Sequence, residues 1–192
     1  VYDRLLADVL GEVSKVPTGA KGVIDRILGE VGRVCSKSDR IQASGESDDW
    51  LLSLARHRLQ KCLRYYQLGS QRGRADLHGS LSAIIYRYIA PAEAQLSFQG
   101  RVTLIEDFMQ AFYVEALRAF RRENNLGDQY QPQTRIELAE YLAFTEQYAK
   151  RRISLPGCRN QQLIVLRAKT FARRQPPELA IDMELAVESG GK

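Results

Sequence analysis

The sequence predicts an all-α, multi-helix domain that contains a helix-turn-helix. Apolar residues recur at the spacing of one helix face along most of the 192 residues. The alternating pattern of a β-strand is nowhere longer than a few residues, and no segment is repeated along the chain. With 44% hydrophobic and 27% charged residues, the composition is that of an ordinary globular protein, and this length suffices for a large apolar core.

Breaks in the periodic pattern divide the chain into helices. Pro17 ends the first helix, a polar stretch at 38–47 precedes the third, and a basic turn at 69–74 precedes the fourth, which Pro91 ends. The two acidic residues after Ser47 favour a helix start there, because negative charge stabilises a first turn. The predicted helices cover residues 1–16, 23–37, 47–68, 76–89, 102–123, 135–143, 145–152 and 159–174.

The helix predicted at 102–123 has the most regular pattern, and it is followed by a clear helix start. A loop at 124–133 with Gly and Pro leads to Thr134, which forms a capping box with Glu137. In the long helix, the apolar positions at helical spacing are Ile105, Phe108, Met109, Phe112, Ala116, Leu117 and Phe120.

The segment after Thr134 has the layout of a helix-turn-helix. Ala139 is small where the second helix would cross the first, and Thr145 is a good N-cap for that second helix. Ala143 departs from the pattern, since Gly is usual in the turn, and Arg152 stands where an apolar residue is frequent. The exposed side of the second helix would enter the major groove. Its predicted base-contacting residues are Glu146, Gln147, Lys150 and Arg151.

Positive charge is concentrated directly after this turn. Residues 145–175 contain eight basic residues and one acidic residue, a net charge of +7, whereas residues 1–144 total +1. Such clustering is typical of phosphate binding. The alternative interpretation is a plain pair of helices with a solvated basic face. The predicted DNA phosphate contacts are Thr145, Arg152, Arg159, Arg167, Lys169, Arg173 and Arg174.

A second basic cluster lies between residues 56 and 74. Its Gly/Ser/Arg turn offers backbone and guanidinium donors that suit a phosphate. The alternative is a helix whose outer face happens to be basic, and the sequence leaves both interpretations open. The candidate residues are Arg56, Arg58, Lys61, Arg64, Arg72 and Arg74.

Several classes of function lack support. Two histidines and three dispersed cysteines do not provide the spacing of a metal site, and no nucleophile or phosphate-loop motif is present. No apolar run is long enough for a transmembrane helix. We therefore expect a cytoplasmic protein that is not an enzyme, with no cofactor, no metal and no membrane association.

Two resemblances add to these predictions. Residues 105–120 resemble the polymerase-binding helix of sigma factors. Residues 33–46 (RVCSKSDRIQASGE), 57–74 (HRLQKCLRYYQLGSQRGR), 77–89 (LHGSLSAIIYRYI), 96–127 and 138–171 resemble the HetZ family of cyanobacterial heterocyst-differentiation transcription factors. The second resemblance implies a transcriptional regulator that cooperates with HetR. It also implies a longer protein, of which this chain would be an N-terminal portion.

These observations predict three regions. They are an N-terminal helical region at 1–100, a DNA-binding unit at 101–175 and an acidic tail at 176–192. The predicted function is sequence-specific binding of double-stranded DNA to regulate transcription in heterocyst differentiation. The alternative is a protein-interaction module that binds RNA polymerase or another regulator through the sigma-like helix. A HetR-type regulator and RNA polymerase are the candidate protein partners, and a homodimer is compatible with the sequence.

Overall fold

The computed structural model describes residues 1–175, and the predicted tail at 176–192 lies outside the described residues. Within 1–175 the chain forms eight α-helices and one β-hairpin, which confirms the all-α, multi-helix class. The helices are α1 (Tyr2–Glu12), α2 (Ala20–Lys37), α3 (Asp39–Ser44), α4 (Ser47–Leu68), α5 (Ser70–Ile85), α6 (Phe98–Glu123), α7 (Arg135–Ala149) and α8 (Leu163–Arg174). A 3-10 turn at Tyr86–Tyr88 follows α5, and strands β1 (Arg152–Leu155) and β2 (Cys158–Gln162) precede α8.

The described chain divides into two compact units, each made of two segments. Unit 1 comprises Val1–Ala75 and Arg118–Phe144, and unit 2 comprises Asp76–Leu117 with residues 145–175. This division differs from the sequential one predicted near residue 100, because α5, α6 and α7 each contribute residues to both units.

Unit 1 has an apolar core in which α2 packs against α4, with α1 beside both. Val23, Ile27 and Val31 of α2 are buried at helical spacing, as the sequence pattern predicts. The predicted polar loop at 38–47 contains the short helix α3, because Ser38 caps it through a bond from Ile41 N and Ile41 is itself buried.

The basic turn predicted at 69–74 is wrong, because only Gly69 separates α4 from α5. Gly69 has a φ of 84°, and its N–H donates to the carbonyl oxygens of Tyr65 and Tyr66 at the end of α4. Helix α5 begins directly afterwards at Ser70. A Cβ at Gly73 would lie 3.1 Å from Leu142 Cδ1, so this first turn of α5 packs inside unit 1.

Unit 2 is organised around aromatic side chains. Phe108 of α6 meets Phe171 of α8 edge to face, with ring centroids 5.6 Å apart, and Phe112 lies 5.9 Å from Tyr148. Helix α8 buries Ile164, Val165 and other apolar residues along one side.

The predicted helix-turn-helix at 134–153 is wrong, because α7 runs without interruption from Arg135 to Ala149. A turn at Ala143 would need a left-handed backbone, which costs about 1–2 kcal/mol without glycine, whereas alanine is the best helix former. The start of α7 is as predicted, since Glu137 N donates to Thr134 Oγ1 at 3.3 Å and the Thr134 hydroxyl donates to Glu137 Oε1 at 2.8 Å.

Candidate nucleic-acid interface

An exposed basic segment follows the end of α7, and most of this segment folds as a β-hairpin. Residues 150–162, called the basic hairpin below, contain four cations and no acidic residue. The cations are Lys150, Arg151, Arg152 and Arg159, and all four are exposed. The sequence pattern missed this hairpin and predicted a helix from Arg159. The Pro-Gly dipeptide at 156–157 was the signal that could have found it.

The turn and the pairing of the hairpin follow from its residues. Pro156 and Gly157 are the two central residues of the turn, and Gly157 has a φ of 79°, as the third residue of a type II turn requires. Antiparallel pairing joins Leu155 to Cys158 and Arg152 to Gln162. The Leu163 N–H donates to Arg151 O at 2.9 Å and closes the base of the hairpin.

A β-bulge interrupts the ladder in the middle of the hairpin. Arg159 and Asn160 together lie opposite Ser154, between the pairs that precede and follow them. Asn160 has a φ of 56°, a conformation that Asn tolerates better than most residues, and its N–H donates to Ser154 Oγ at 3.4 Å. Arg152 Nη1 donates to Asn160 O at 3.0 Å, so this arginine is held across the bulge.

The structure places the predicted base-contacting residues at the end of α7 rather than on a separate recognition helix. Glu146 and Gln147 are half-buried there. Lys150 Nζ lies 2.9 Å from Glu146 Oε1, and the Arg151 guanidinium lies 5.2 Å from the centre of the Tyr148 ring. The predicted second helix is therefore not formed within residues 134–153, and Lys150 and Arg151 are exposed at the base of the basic hairpin instead.

The predicted phosphate contacts separate into distinct groups. Thr145 is fully buried within α7, so the prediction that its hydroxyl contacts a phosphate is wrong. Arg152 and Arg159 belong to the hairpin. Arg167 Nε donates to Glu115 Oε1 at 2.8 Å, where the Tyr148 hydroxyl also donates. The remaining three, Lys169, Arg173 and Arg174, lie in the last two turns of α8.

Part of the second basic cluster forms ion pairs with neighbouring helices of unit 1. Arg56 pairs with Asp8 of α1 at 2.8 Å, and Arg58 pairs with Glu30 of α2 at 3.5 Å. The Arg64 guanidinium lies 5.1 Å from the Tyr65 ring centre. Lys61, Arg72 and Arg74 are exposed. These contacts agree better with the outer face of a helix than with a phosphate-binding turn.

The apolar positions of the sigma-like helix serve the protein's own core. Ile105, Phe108, Met109, Phe112 and Ala116 are all buried. The exposed residues of α6 within unit 2 are mainly polar or small, apart from Phe98 at the start of the helix and Val114, which are 73% and 51% exposed. The stripe that carries the resemblance is therefore unavailable as a docking face in this fold.

The described residues contain no cluster of three or more His, Cys, Asp and Glu side chains that could hold a metal ion. His78, which the sequence pattern did not connect to any partner, lies between Tyr113 Oη at 2.8 Å and Glu106 Oε1 at 2.7 Å. None of the helices in 1–175 combines the length and the apolar character needed to cross a bilayer.

Comparison with known proteins supports the resemblance found in the sequence. The family described as heterocyst differentiation protein HetZ-like matches residues 1–192, the whole chain. Neither the curated proteins nor the solved structures provide a match. The family description assigns a role in heterocyst differentiation. The chain thus belongs to the HetZ-like family of heterocyst differentiation proteins.

Proposed function

We propose that the protein is a sequence-specific, double-stranded DNA-binding transcription regulator, and that it contacts DNA through the basic hairpin. The observation that carries the proposal is an exposed segment with four cations and no acidic residue. Neutralised phosphates release counterions, so clustered exposed cations provide affinity for duplex DNA. Family membership supports a role in heterocyst differentiation. A regulator of transcription could perform such a role.

The geometry of the hairpin suits a groove of duplex DNA. The major groove is about 12 Å wide and admits a two-stranded β-ribbon as well as a helix. Arg159 and Asn160 lie together at the bulge, and both are exposed. Arginine bonds to guanine and asparagine to adenine in the major groove. These two residues therefore replace the predicted recognition helix as base-contacting candidates, while Lys150, Arg151 and Arg152 suit phosphates.

The test is a titration of labelled genomic DNA fragments, selected without a presumed site, followed by fluorescence anisotropy at several salt concentrations. A double variant, Arg152→Gln with Arg159→Gln, should weaken binding at least about tenfold and reduce the slope of log affinity against log salt by about 2. The matched control is Arg72→Gln with Arg74→Gln, which removes the same charge from exposed positions of α5.

The control separates local contact from a general effect of charge. Unchanged affinity of the control and weakened affinity of the hairpin variant support the proposal. Equal losses in both double variants would show that net charge alone attracts DNA. If the unaltered protein fails to bind any duplex even at low salt, the DNA-binding proposal is wrong and a protein-interaction role becomes the better account.

A further inference from the structure

A second group of cations lines a cleft in unit 2, away from the basic hairpin in sequence. The cleft has a volume of about 560 Å³, within the range of small-molecule sites. It lies between the 3-10 turn with the segment after it and the last turns of α8. We call it the cationic cleft, and its charged lining residues are Arg87, Glu93, Lys169 and Arg173.

The three cations converge because of local structure. Lys169 and Arg173 are four residues apart on α8, so they share a face of that helix. Lys169 Nζ lies 5.2 Å from the centre of the Tyr88 ring, and the Arg87 guanidinium carbon lies 5.9 Å from the same ring. The positive charges of Lys169 and Arg87 therefore both lie near the Tyr88 ring, and a bound anion would stabilise this arrangement.

The three cations of the cleft have no carboxylate partner among the described residues, unlike five other cations of the protein. The cations that pair with an acidic side chain are Arg26, Arg56, Arg58, Lys150 and Arg167. Within the described residues, no ion pair engages Arg87, Lys169 or Arg173, although Glu93 lines the same cleft. The cleft consequently has a net positive charge that residues 1–175 do not neutralise.

The remaining lining residues define the rest of the ligand. The apolar part of the lining consists of Ala90, Pro91, Ala92 and Ala172. A site lined by several cations and by small apolar residues suits a phosphate monoester that has an organic moiety. We infer that the cationic cleft binds a small phosphorylated metabolite, held at its phosphate by Arg87, Lys169 and Arg173.

The experiment is isothermal titration of the whole chain with adenosine 5′-monophosphate, and with adenosine as the ligand that lacks the phosphate. The nucleotide should bind with a stoichiometry of one, and adenosine should not bind. Lys169→Gln and Arg173→Gln should each weaken nucleotide binding by about tenfold, because each removes a charge-assisted bond. The control Arg174→Gln removes a neighbouring exposed charge that does not line the cleft, and it should leave affinity unchanged.

A further variant is expected to increase affinity, and a folding defect could not produce that result. Glu93→Gln removes the one acidic side chain among the lining residues and should strengthen nucleotide binding about two- to fivefold. No binding of the nucleotide, or equal losses in Arg173→Gln and Arg174→Gln, would overturn the inference. So would a dependence on Lys169 and Arg173 that is seen with a DNA duplex but not with the nucleotide, because the phosphates would then be those of the DNA backbone.

Discussion

Arginine has opposite roles in the interior of unit 1 and on the surface of unit 2. Arg26 bonds to both carboxylate oxygens of Glu140 at 2.6–3.1 Å, with side-chain exposures of 17% and 6%. By contrast, Arg159 and Arg173 are exposed, and no carboxylate of the described residues pairs with them. The difference teaches that a buried, ion-paired arginine stabilises the fold, whereas an exposed arginine without an acidic partner is available for a ligand, and sequence alone does not distinguish the two.

The largest expected effect comes from breaking the buried pair. Arg26→Met keeps similar volume but leaves Glu140 buried without its cation. We expect the free energy of unfolding to fall by about 3–5 kcal/mol, because a buried carboxyl without its cation must either stay ionised without a partner or take up a proton. Urea unfolding followed by circular dichroism measures this loss. Arg26→Met combined with Glu140→Leu should recover most of it, and a double variant as unstable as the single one would contradict this explanation.

The loss should also depend on pH in a defined direction. Burial raises the pKa of Glu140 from 4.5 to about 7, although its bonds to Arg26 lower it. Without Arg26 the folded-state pKa rises further, so the folded variant retains a proton that the unfolded chain releases above about pH 4.5. The unaltered protein shares the raised pKa, so the loss caused by Arg26→Met should grow with pH above about pH 7, where only the variant retains the proton. A loss that is constant with pH in the unfolding titrations would argue against an ionised carboxyl as its cause.

An intermediate effect is expected at the entry to α2 in unit 1. Gly19 has a φ of 93°, and a Cβ there would lie 2.6 Å from Thr134 Oγ1 and 2.8 Å from Glu137 Oε1. Gly19→Ala should cost about 2–3 kcal/mol, from the left-handed backbone together with a displaced cap of α7. Thermal unfolding of this variant gives the measurement.

The control for Gly19 shares its backbone conformation but not its neighbours. Gly45 has a φ of 71°, and nothing lies within 4 Å of a Cβ built there. Gly45→Ala should therefore cost only the backbone contribution of about 1–2 kcal/mol. If both substitutions reduce stability equally, the close approach of Gly19 to the capping pair has no energetic consequence.

The smallest effect is expected at a partly exposed pair in unit 2. Arg167 Nε lies 2.8 Å from Glu115 Oε1, and the two side chains are 47% and 33% exposed. Arg167→Met should reduce the free energy of unfolding by no more than about 1 kcal/mol, and less at high salt, because solvent screens such pairs. Chemical unfolding at low and high salt tests this, and a loss comparable with that of Arg26→Met would remove the contrast between buried and exposed arginines.

The helical fold was largely predictable from the sequence because apolar spacing determines which side of each helix is buried. The start of α7 was equally accessible, since Thr134 and Glu137 form a local motif. The end of α7 was not, because a helix-turn-helix pattern depends on few positions and Ala143 favours a continuous helix. Burial of Thr145 depends on packing with residues distant in sequence, which periodicity does not encode.

The candidate site was predictable as a charge cluster but not as a shape. The concentration of basic residues after 145 was visible in the sequence. The hairpin that presents part of it was not, because Pro156-Gly157 is a short turn signal and the two flanking strands are mostly polar. Arg87 could not be joined to Lys169 and Arg173 from the sequence, because more than 80 residues separate them and only the fold brings them to one cleft.

The bulge at Arg159 and Asn160 has a consequence for how relatives of this protein vary. Side chains of a regular strand alternate between faces, so one inserted or deleted residue exchanges the faces of everything beyond it. A strand that already contains an extra residue absorbs such a change at the bulge. Natural length variation in this hairpin should therefore concentrate at positions 159–160, and the basic residues should keep their face rather than a fixed distance from Gly157.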